Sequence, residues 1–206
     1  MLEILEVTCV RGERTLFSSL NYSLDQGSLL RVTGPNGSGK TSLLRILCGL
    51  AEPAEGEVRW AGTAIRRSRE EYSRQLVYLG HANGVKDELT ARENLAIACV
   101  LAGMSTTDGS RAGALSQLGL EAYADLPVRL LSQGQRRRVA LARLPLAAHF
   151  PLWVLDEPFT ALDAAAVASM QELMREYLRT GGSLVLTSHQ DIAIAADAVQ
   201  TVELGR

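Results

Sequence analysis

The chain has 206 residues, which is enough for one sizeable hydrophobic core with at most a small subdomain beside it. Its formal net charge of −2 gives no reason to expect nucleic acid as a partner. The three cysteines are widely spaced and form no C-x-x-C or C-x-x-C-H pattern, which argues against a zinc site and covalent haem attachment. We expect each cysteine to be a small buried hydrophobe in a reducing compartment.

The sequence shows no sign of export or of a membrane span. The N-terminus lacks the basic and apolar regions of a signal peptide. The longest nearly uncharged apolar stretch, residues 95–104, is too short to cross a bilayer. We therefore expect a cytosolic protein that reaches a membrane only through partners.

The first part of the chain is predicted to consist mainly of short strands. Apolar and β-branched residues recur in runs that are separated by turn-forming residues. A stretch at 66–74 carries charges of both signs, which favours a solvent-facing helix over a binding patch. The predicted strands span residues 2–10, 15–24, 29–33, 57–60 and 76–79.

Residues 34–41, Gly-Pro-Asn-Gly-Ser-Gly-Lys-Thr, match the P-loop pattern G-x-x-x-x-G-K-[ST] between a predicted strand and a predicted helix. We expect backbone N–H groups to cradle a nucleotide phosphate, Lys40 to reach the β- and γ-phosphates, and the Thr41 hydroxyl to bind Mg²⁺. The alternative is a glycine-rich turn that binds nothing, which the complete motif disfavours. The predicted nucleotide-binding residues of the loop are Gly34, Pro35, Asn36, Gly37, Ser38, Gly39, Lys40, Thr41 and Ser42.

Helices replace strands as the predicted elements after residue 84. Three helical patterns follow, and the last is interrupted by Pro145, which should kink or end it. These patterns predict one domain whose strand–helix core, about 1–84 and 148–206, carries a helical subdomain inserted at about 85–147. The predicted helices span 91–104, 111–120, 135–148 and 164–179, and the later strands span 152–155 and 183–187.

Two carboxylates, Asp156 and Glu157, directly follow the apolar strand at 152–155, which is the Walker B pattern. Because ligands gather at the carboxyl ends of parallel strands, Asp156 can reach an Mg²⁺ ion near Thr41. Glu157 can polarise a water for attack on the γ-phosphate. An acidic pair after a strand can also cap a helix, but the neighbouring motifs favour Walker B. The predicted metal ligands are Thr41 and Asp156.

His189 follows the predicted strand at 183–187 and could hydrogen-bond the γ-phosphate. A lone histidine is more often structural, so this assignment depends on its position among the other motifs. The predicted catalytic residues are Glu157, His189 and Lys40.

Residues 131–135, Leu-Ser-Gln-Gly-Gln, resemble the LSGGQ signature of ATP-binding-cassette (ABC) ATPases, with Gln133 in place of the first glycine. Residues 161–163 resemble the D-loop of that family through Asp163, and Ser188-His189 resembles its switch. The resemblance covers essentially the whole chain. It implies an α/β fold, namely a P-loop ABC nucleotide-binding domain with N-terminal antiparallel strands and an inserted helical subdomain, and it implies ATP and Mg²⁺ as cofactors. The sequence contains no guanine-reading motif, which argues against a GTPase.

In the ABC family two nucleotide-binding domains pair head to tail, so the resemblance implies a second copy of the chain as a partner. The signature of each copy would then close over the ATP of the other. The Ser132 hydroxyl, the Gly134 N–H and the N-terminus of the following helix would form a second anion-binding site. The predicted signature residues are Leu131, Ser132, Gln133, Gly134 and Gln135.

The sequence departs from the general ABC pattern at three places. Arg11 stands where an aromatic residue commonly stacks on adenine, and a guanidinium can also stack on a base. Phe17 is the alternative residue for this stacking, although it is better explained as part of the core. His81 replaces the usual glutamine of the Q-loop. The chain ends soon after His189, so we expect no C-terminal regulatory domain.

Four local segments narrow the resemblance to the CcmA family, the ATPase subunits of bacterial cytochrome c maturation. They are Tyr-Leu-Gly-His at 78–81, the signature run at 127–144, the acidic run at 156–163 and Arg-Thr-Leu-Phe at 14–17. The resemblance implies a dimer under the membrane subunits CcmB, CcmC and CcmD, at the cytoplasmic face of the bacterial inner membrane. ATP turnover would release the haem-loaded chaperone CcmE. Nothing in the composition indicates haem.

The predicted helix at 91–104 is apolar on most of its surface. Ile97, Val100, Leu101 and Met104 recur at helical spacing, which suits packing inside the insert better than docking of a membrane subunit, although a groove partner would need such a face. Two other functions stay open: a soluble ABC ATPase that serves a cytosolic assembly, and a nucleotide-binding regulator without turnover. Intact Lys40 argues against the regulator, as do Glu157 and His189.

Overall fold

The computed structural model describes residues 1–188 and 192–205. Within these residues the chain forms an antiparallel sheet, a parallel sheet and the helices that cover them. The strands are β1 (Leu2–Arg11), β2 (Arg14–Leu24), β3 (Ser28–Thr33), β4 (Glu55–Trp60), β5 (Thr63–Ala64), β6 (Leu76–Leu79), β7 (Leu152–Leu155), β8 (Ser183–Thr187) and β9 (Ala198–Glu203). The helices are α1 (Lys40–Leu47), α2 (Arg69–Ser73), α3 (Ala91–Leu101), α4 (Asp108–Gln117), α5 (Gln133–Leu141) and α6 (Ala164–Arg179).

The N-terminal sheet is antiparallel, with strand order β2-β1-β4-β5. Its inward side chains, among them Leu2, Ile4 and Leu24, pack in one apolar cluster with α1. The same cluster includes Val154 and Val185 of the parallel sheet, so α1 is enclosed between the two sheets. This arrangement confirms the expected antiparallel strands at the N-terminus.

The second sheet has the strand order β6-β7-β8-β3-β9, and every neighbouring pair is parallel. All residues of β7 and β8 are buried, as expected for central strands that are covered on both faces. Trp153 stacks on Tyr177 of α6, with ring centroids 3.7 Å apart. Because the strands are parallel, the residues that follow β3, β7 and β8 meet at one edge of the sheet.

The helices α3, α4 and α5 lie between β6 and β7, in the region where the sequence predicts helices. Their N-termini are set by capping boxes at Thr90, Thr107 and Ser132. The caps explain why α4 and α5 begin earlier than predicted. Pro145 opens a separate 3₁₀ turn, Pro145–Ala147, which confirms that it ends the preceding helix.

Two strands are absent from the sequence-based prediction, the two-residue β5 and the edge strand β9. The charged stretch at 66–74 contains the short helix α2, in agreement with the solvent-facing helix expected there. The strand β9 pairs with β3 along six residues, yet most of its side chains are exposed. An exposed edge strand lacks the apolar run that marks a buried strand, and this is why β9 was missed.

The three cysteines, Cys9, Cys48 and Cys99, are buried free thiols, as predicted. Phe17 is buried in the apolar cluster around α1, which confirms its assignment to the core. Among the described residues, no helix is both long and apolar enough to cross a lipid bilayer.

Candidate active site

The P-loop joins the end of β3 to the start of α1. Gly34 and Gly39 have φ values of 139° and 103°. A Cβ atom at Gly34 would lie 2.4 Å from the carbonyl oxygen of Leu204, and one at Gly39 would lie 3.1 Å from Leu16 Cβ. Both positions therefore require glycine on steric and conformational grounds. Gly39 stands at the N-cap of α1 and has no side chain to cap it, which leaves the first N–H groups of α1 available to an anion.

Lys40 is buried beneath the loop. Its Nζ donates hydrogen bonds to the carbonyl oxygens of Gly34 at 2.8 Å and Pro35 at 3.3 Å. The ammonium group thus lies at the first residues of the loop, where it adds a full positive charge to that of the backbone N–H groups. This arrangement suits a polyphosphate.

Asp156 is buried at the end of β7 and accepts two hydroxyl hydrogen bonds. Thr41 Oγ1 donates to Asp156 Oδ2 at 2.8 Å, and Thr187 Oγ1 donates to Asp156 Oδ1 at 2.7 Å. Mg²⁺ prefers hard oxygen ligands and usually takes only one or two from protein, completing its shell with phosphates and waters. The oxygen atoms of Thr41 and Asp156 fit that requirement.

One open cleft of about 560 Å³ contains most of the predicted nucleotide-binding residues and both predicted metal ligands. The loop, the end of β7 and the turn after β6 all contribute to its wall. Gly34, Pro35 and Ser38 belong to the loop but lie outside the lining. The cleft is lined by Arg11, Leu16, Asn36, Gly37, Gly39, Lys40, Thr41, Ser42, His81, Asp156, Glu157 and Thr160.

Arg11 is exposed at the end of β1 and pairs with Arg14 across the β1–β2 hairpin. It lines the rim of the cleft, whereas Phe17 is buried behind Gly39. Of the two candidates for contact with the base, only Arg11 is placed where a ligand in the cleft could touch it.

Glu157 follows Asp156 and adopts a left-handed backbone conformation with φ of 52°. It lines the cleft and also a small cavity of about 80 Å³ that it shares with His81, Gln133 and Arg137. His81 is exposed and lines the cleft, the small cavity and a groove on its far side. His189, the remaining predicted catalytic residue, lies outside the described residues.

The signature residues do not line the cleft of their own chain, although Gln133 lines the small cavity beside it. Ser132 caps α5: its Oγ accepts from the Gln135 N–H at 3.2 Å, and Gln135 Oε1 accepts from the Ser132 N–H at 2.8 Å. A Cβ atom at Gly134 would lie 2.6 Å from the carbonyl oxygen of Ala161, which explains this glycine. Gln133 is exposed in the first turn, where a side chain is readily accommodated, while Leu131 is buried.

Asp163 has a structural contact within the chain. It caps α6 by accepting from the Ala166 N–H at 2.8 Å, and its other oxygen lies 3.7 Å from Arg138. The side chain is exposed and does not line the cleft. The pairing with Arg138 connects the D-loop position to the signature helix.

Two buried residues at the site were missed by sequence reasoning. Thr187 accepts a hydrogen bond of 2.8 Å from the Glu157 N–H, in addition to its bond to Asp156. Arg137 donates to the carbonyl oxygens of Asp156 at 2.9 Å and Glu157 at 2.8 Å. The available signals were a threonine at the end of a buried strand and an arginine that falls on the inner face of a helix.

A second groove of about 560 Å³ lies on the far side of His81, between the turn after β6 and the helices α3 and α5. Burial, reinforced by the negative charge of Asp156, raises the pKa of Tyr78 in its wall to about 12. The phenol therefore stays neutral at physiological pH.

The outer surface of α3 corrects one prediction. Ile97, Val100 and Leu101 are 45%, 75% and 83% exposed, whereas Met104 is buried. Packing inside the insert was the favoured interpretation for the first three, with a partner surface as the alternative, and their exposure contradicts the favoured one. They lie on the solvent-facing side of α3, and no described part of the chain covers them.

The ABC transporter family model matches residues 17–160. The cytochrome c biogenesis ATP-binding export protein CcmA of Nitrosospira multiformis is 53% identical over 203 residues, which cover 98% of each chain. The protein of that name from Dechloromonas aromatica is 48% identical over 205 residues and 100% of each chain. CcmA 1 of Salmonella typhimurium is also 48% identical over 205 residues, which cover 99% of this chain and 97% of that one.

Two solved structures are similar in fold. A dimeric structure of the ATP-binding cassette MJ0796, in a post-hydrolysis state with ADP and Pi, has a TM-score of 0.83 and 26% identity and covers 100% of this chain and 97% of that one. Another dimeric structure of MJ0796, described as a bacterial ABC transporter cassette, has a TM-score of 0.84 and 25% identity over the same shares. The chain is therefore an ATP-hydrolysing ABC transporter ATPase and belongs to the CcmA family of cytochrome c biogenesis ATP-binding export proteins.

Proposed function

We propose that this ATPase powers a membrane complex for cytochrome c biogenesis, in which ATP turnover drives haem handling and the release of the haem-loaded chaperone CcmE. The observation that carries the proposal is the convergence of Lys40, Thr41, Asp156 and Glu157 on one cleft. Relatives that match nearly the whole chain are named for cytochrome c biogenesis and export, which supports the assignment to that system.

The loop residues from Gly34 to Ser42 bind the ATP phosphates, and Arg11 stacks on the base. Lys40 neutralises the β- and γ-phosphates. Thr41 and Asp156 would hold Mg²⁺, which would supply further neutralisation of phosphate charge. Glu157 accepts a proton from the attacking water, and His189 hydrogen-bonds the γ-phosphate.

The active unit contains two copies of the chain in a head-to-tail dimer. Ser132 and Gln133 are exposed at the N-terminus of α5 and do not line the cleft of their own chain, which supports an action on the nucleotide of the other copy. The N-terminus of α5 offers N–H groups to a phosphate. The exposed Asp163 would face the same interface. The solved structures of MJ0796, which are similar to this chain in fold, are described as dimeric, which supports a dimer here as well.

The membrane subunits, CcmB with CcmC and CcmD, contact the groove beyond His81 and the exposed apolar side of α3. Exposed apolar side chains on a helix suit a partner helix better than water. The chain would then lie at the cytoplasmic face of the bacterial inner membrane. His81 would connect nucleotide state to this contact, because it lines both the cleft and the groove.

The domain organisation that accompanies this function is one nucleotide-binding domain. Its core spans about 1–84 and 148–206, and the helical subdomain at about 85–147 carries the signature and the partner groove. Both the nucleotide and the membrane subunit would then act on the junction between these two parts, at the turn that holds His81.

Fractionation with co-purification tests the proposal. The chain should be recovered with membranes in the presence of CcmB, and loss of CcmB should release it. ATPase activity of the purified complex should rise when haem-loaded CcmE is bound. A chain that stays in the soluble fraction and co-purifies with cytosolic assembly proteins would overturn the proposal and favour a soluble ABC ATPase.

A further inference from the structure

The backbone of Glu157 is held in a conformation that glutamate rarely adopts. Its φ of 52° lies in the left-handed region, where the side chain crowds the backbone and only glycine is unstrained. Such strain persists only when surrounding contacts determine the conformation. Among the described residues, two elements that are distant in sequence supply such contacts.

The first contact comes from the end of β8. Thr187 is 0% exposed, and its hydroxyl makes two bonds at once. It accepts from the Glu157 N–H at 2.8 Å and donates to Asp156 Oδ1 at 2.7 Å. One hydroxyl thus fixes both the peptide that leads into Glu157 and the orientation of the Asp156 carboxylate.

The second contact comes from the signature helix. Arg137 is 4% exposed and donates from one terminal nitrogen to the carbonyl oxygens of Asp156 at 2.9 Å and Glu157 at 2.8 Å. Its other terminal nitrogen donates to Gly80 O at 3.3 Å and Asn83 Oδ1 at 3.1 Å, on either side of His81. A buried guanidinium with four acceptors therefore joins α5 to two loops that are distant from each other in sequence.

We propose that Arg137 and Thr187 form a backbone clamp that holds Glu157 in its left-handed conformation, as positioning residues for ATP hydrolysis. This inference rests on the proposed role of Glu157 as the general base. The clamp binds the N–H group of Glu157 and the carbonyl oxygens of Asp156 and Glu157. These backbone bonds set the direction in which the Glu157 side chain leaves the chain. Arg137 lies on α5 and also donates hydrogen bonds to the turn around His81. A displacement of either element therefore changes the orientation of the Glu157 side chain.

The clamp predicts a separation of chemistry from binding. Thr187→Val keeps the shape of the side chain and removes both hydroxyl bonds, and Thr187→Ser restores them. Single-turnover hydrolysis by the purified full-length chain should slow by on the order of 10-fold or more in Thr187→Val, while the Kd for ATP stays within about 2-fold. Thr187→Ser should recover most of the rate.

Substitutions of Arg137 provide a second, independent test of the clamp. Arg137→Gln should slow hydrolysis in the same way with an unchanged ATP Kd, and Arg137→Lys, which keeps a donor but loses the fork, should lie between. The controls remove similar bonds away from the site. Thr8→Val deletes a buried hydroxyl that accepts from the Ser19 N–H at 3.1 Å, beside another left-handed residue, and Arg111→Gln removes an arginine bonded to Thr106.

Glu157→Gln distinguishes the role of Glu157 as the base from the role of the clamp. If the clamp acts through Glu157, adding Thr187→Val to Glu157→Gln should slow the residual turnover much less than it slows the wild type. A fully active Glu157→Gln would overturn the assignment of the base. Two results would overturn the clamp alone, provided that Glu157→Gln is inactive. In the first, Thr187→Val is as active as Thr8→Val. In the second, Thr187→Val loses ATP binding and hydrolysis rate to the same extent.

Discussion

Thr41, in the first turn of α1, donates a hydrogen bond of 2.8 Å to Asp156 at the end of β7, 115 positions later in the chain. The contact exists because β3 and β7 lie in one parallel sheet with β8 between them. A hydroxyl and a carboxylate therefore meet beside the P-loop. This is the point at which an ion that bridges protein and phosphate would be held.

Removing the Thr41 hydroxyl should weaken that ion site. We expect Thr41→Val to raise the Mg²⁺ concentration for half-maximal ATPase activity by on the order of 10-fold or more, because one oxygen ligand is lost. Thr41→Ser keeps the hydroxyl and should behave as wild type. The measurement is a Mg²⁺ titration of the ATPase rate, and identical titrations for wild type and Thr41→Val would remove Thr41 from the metal site.

Glu157→Gln should separate binding from turnover. The P-loop contacts remain, so ATP should bind normally, while loss of the proton acceptor should lower the rate by roughly 10²–10³. Nucleotide binding and phosphate release are measured on the same preparation. Glu172→Gln, on the exposed side of α6, is the matched control and should have no effect. Near-normal hydrolysis by Glu157→Gln would exclude this residue as the base.

A mixing experiment tests whether Ser132 acts on the other copy. Lys40→Ala and Ser132→Arg chains should each be inactive alone. In a mixed dimer both lesions fall on one composite site and leave the other intact, so mixing should restore part of the activity. If mixed dimers form and activity never returns, the signature does not act in trans.

His81 should be replaceable by glutamine but not by alanine. Either imidazole or a glutamine amide can supply a hydrogen-bond acceptor between the cleft and the groove. His81→Gln should keep most of the partner-stimulated ATPase rate, and His81→Ala should bind ATP but lose stimulation. His149→Ala, at an exposed position, is the control. Equal stimulated rates for wild type and His81→Ala would show that His81 is an ordinary surface residue.

The buried thiols should resist alkylation. Burial raises the pKa values of Cys9, Cys48 and Cys99, so the reactive thiolate is scarce in the native state. At pH 8, iodoacetamide should label the native chain slowly, and it should label all three thiols after denaturation. The number of labels on each chain is counted by mass spectrometry. Fast native labelling of Cys48 would contradict its burial.

The same shifts fix the sign of a pH effect on stability. In the unfolded chain the thiols ionise near pH 8.5, so the stability that their neutral forms contribute is complete below that pH and is lost as the pH rises toward the folded pKa values. The denaturant midpoint of the wild type should therefore fall more steeply above pH 8.5 than that of Cys48→Ala.

Local patterns were sufficient for much of the fold. The strands at 76–79, 152–155 and 183–187 and the helix at 164–179 were predicted with the bounds that the structure has. Each is an apolar run or a clear helical stripe between turn-forming residues, so neighbours in sequence determine it. The P-loop motif belongs to the same class, because its spacing alone puts glycines and Lys40 around a helix N-terminus.

Contacts between distant residues were decided only by the tertiary structure. The order β6-β7-β8-β3-β9 brings Thr187 beside Glu157, and the packing of α5 buries Arg137 against the same peptide. Periodicity cannot reveal either contact, since it records which side of an element is apolar and not what lies opposite. The exposed side of α3 and the edge strand β9 were misjudged or missed for the same reason: burial depends on neighbours supplied by the rest of the fold.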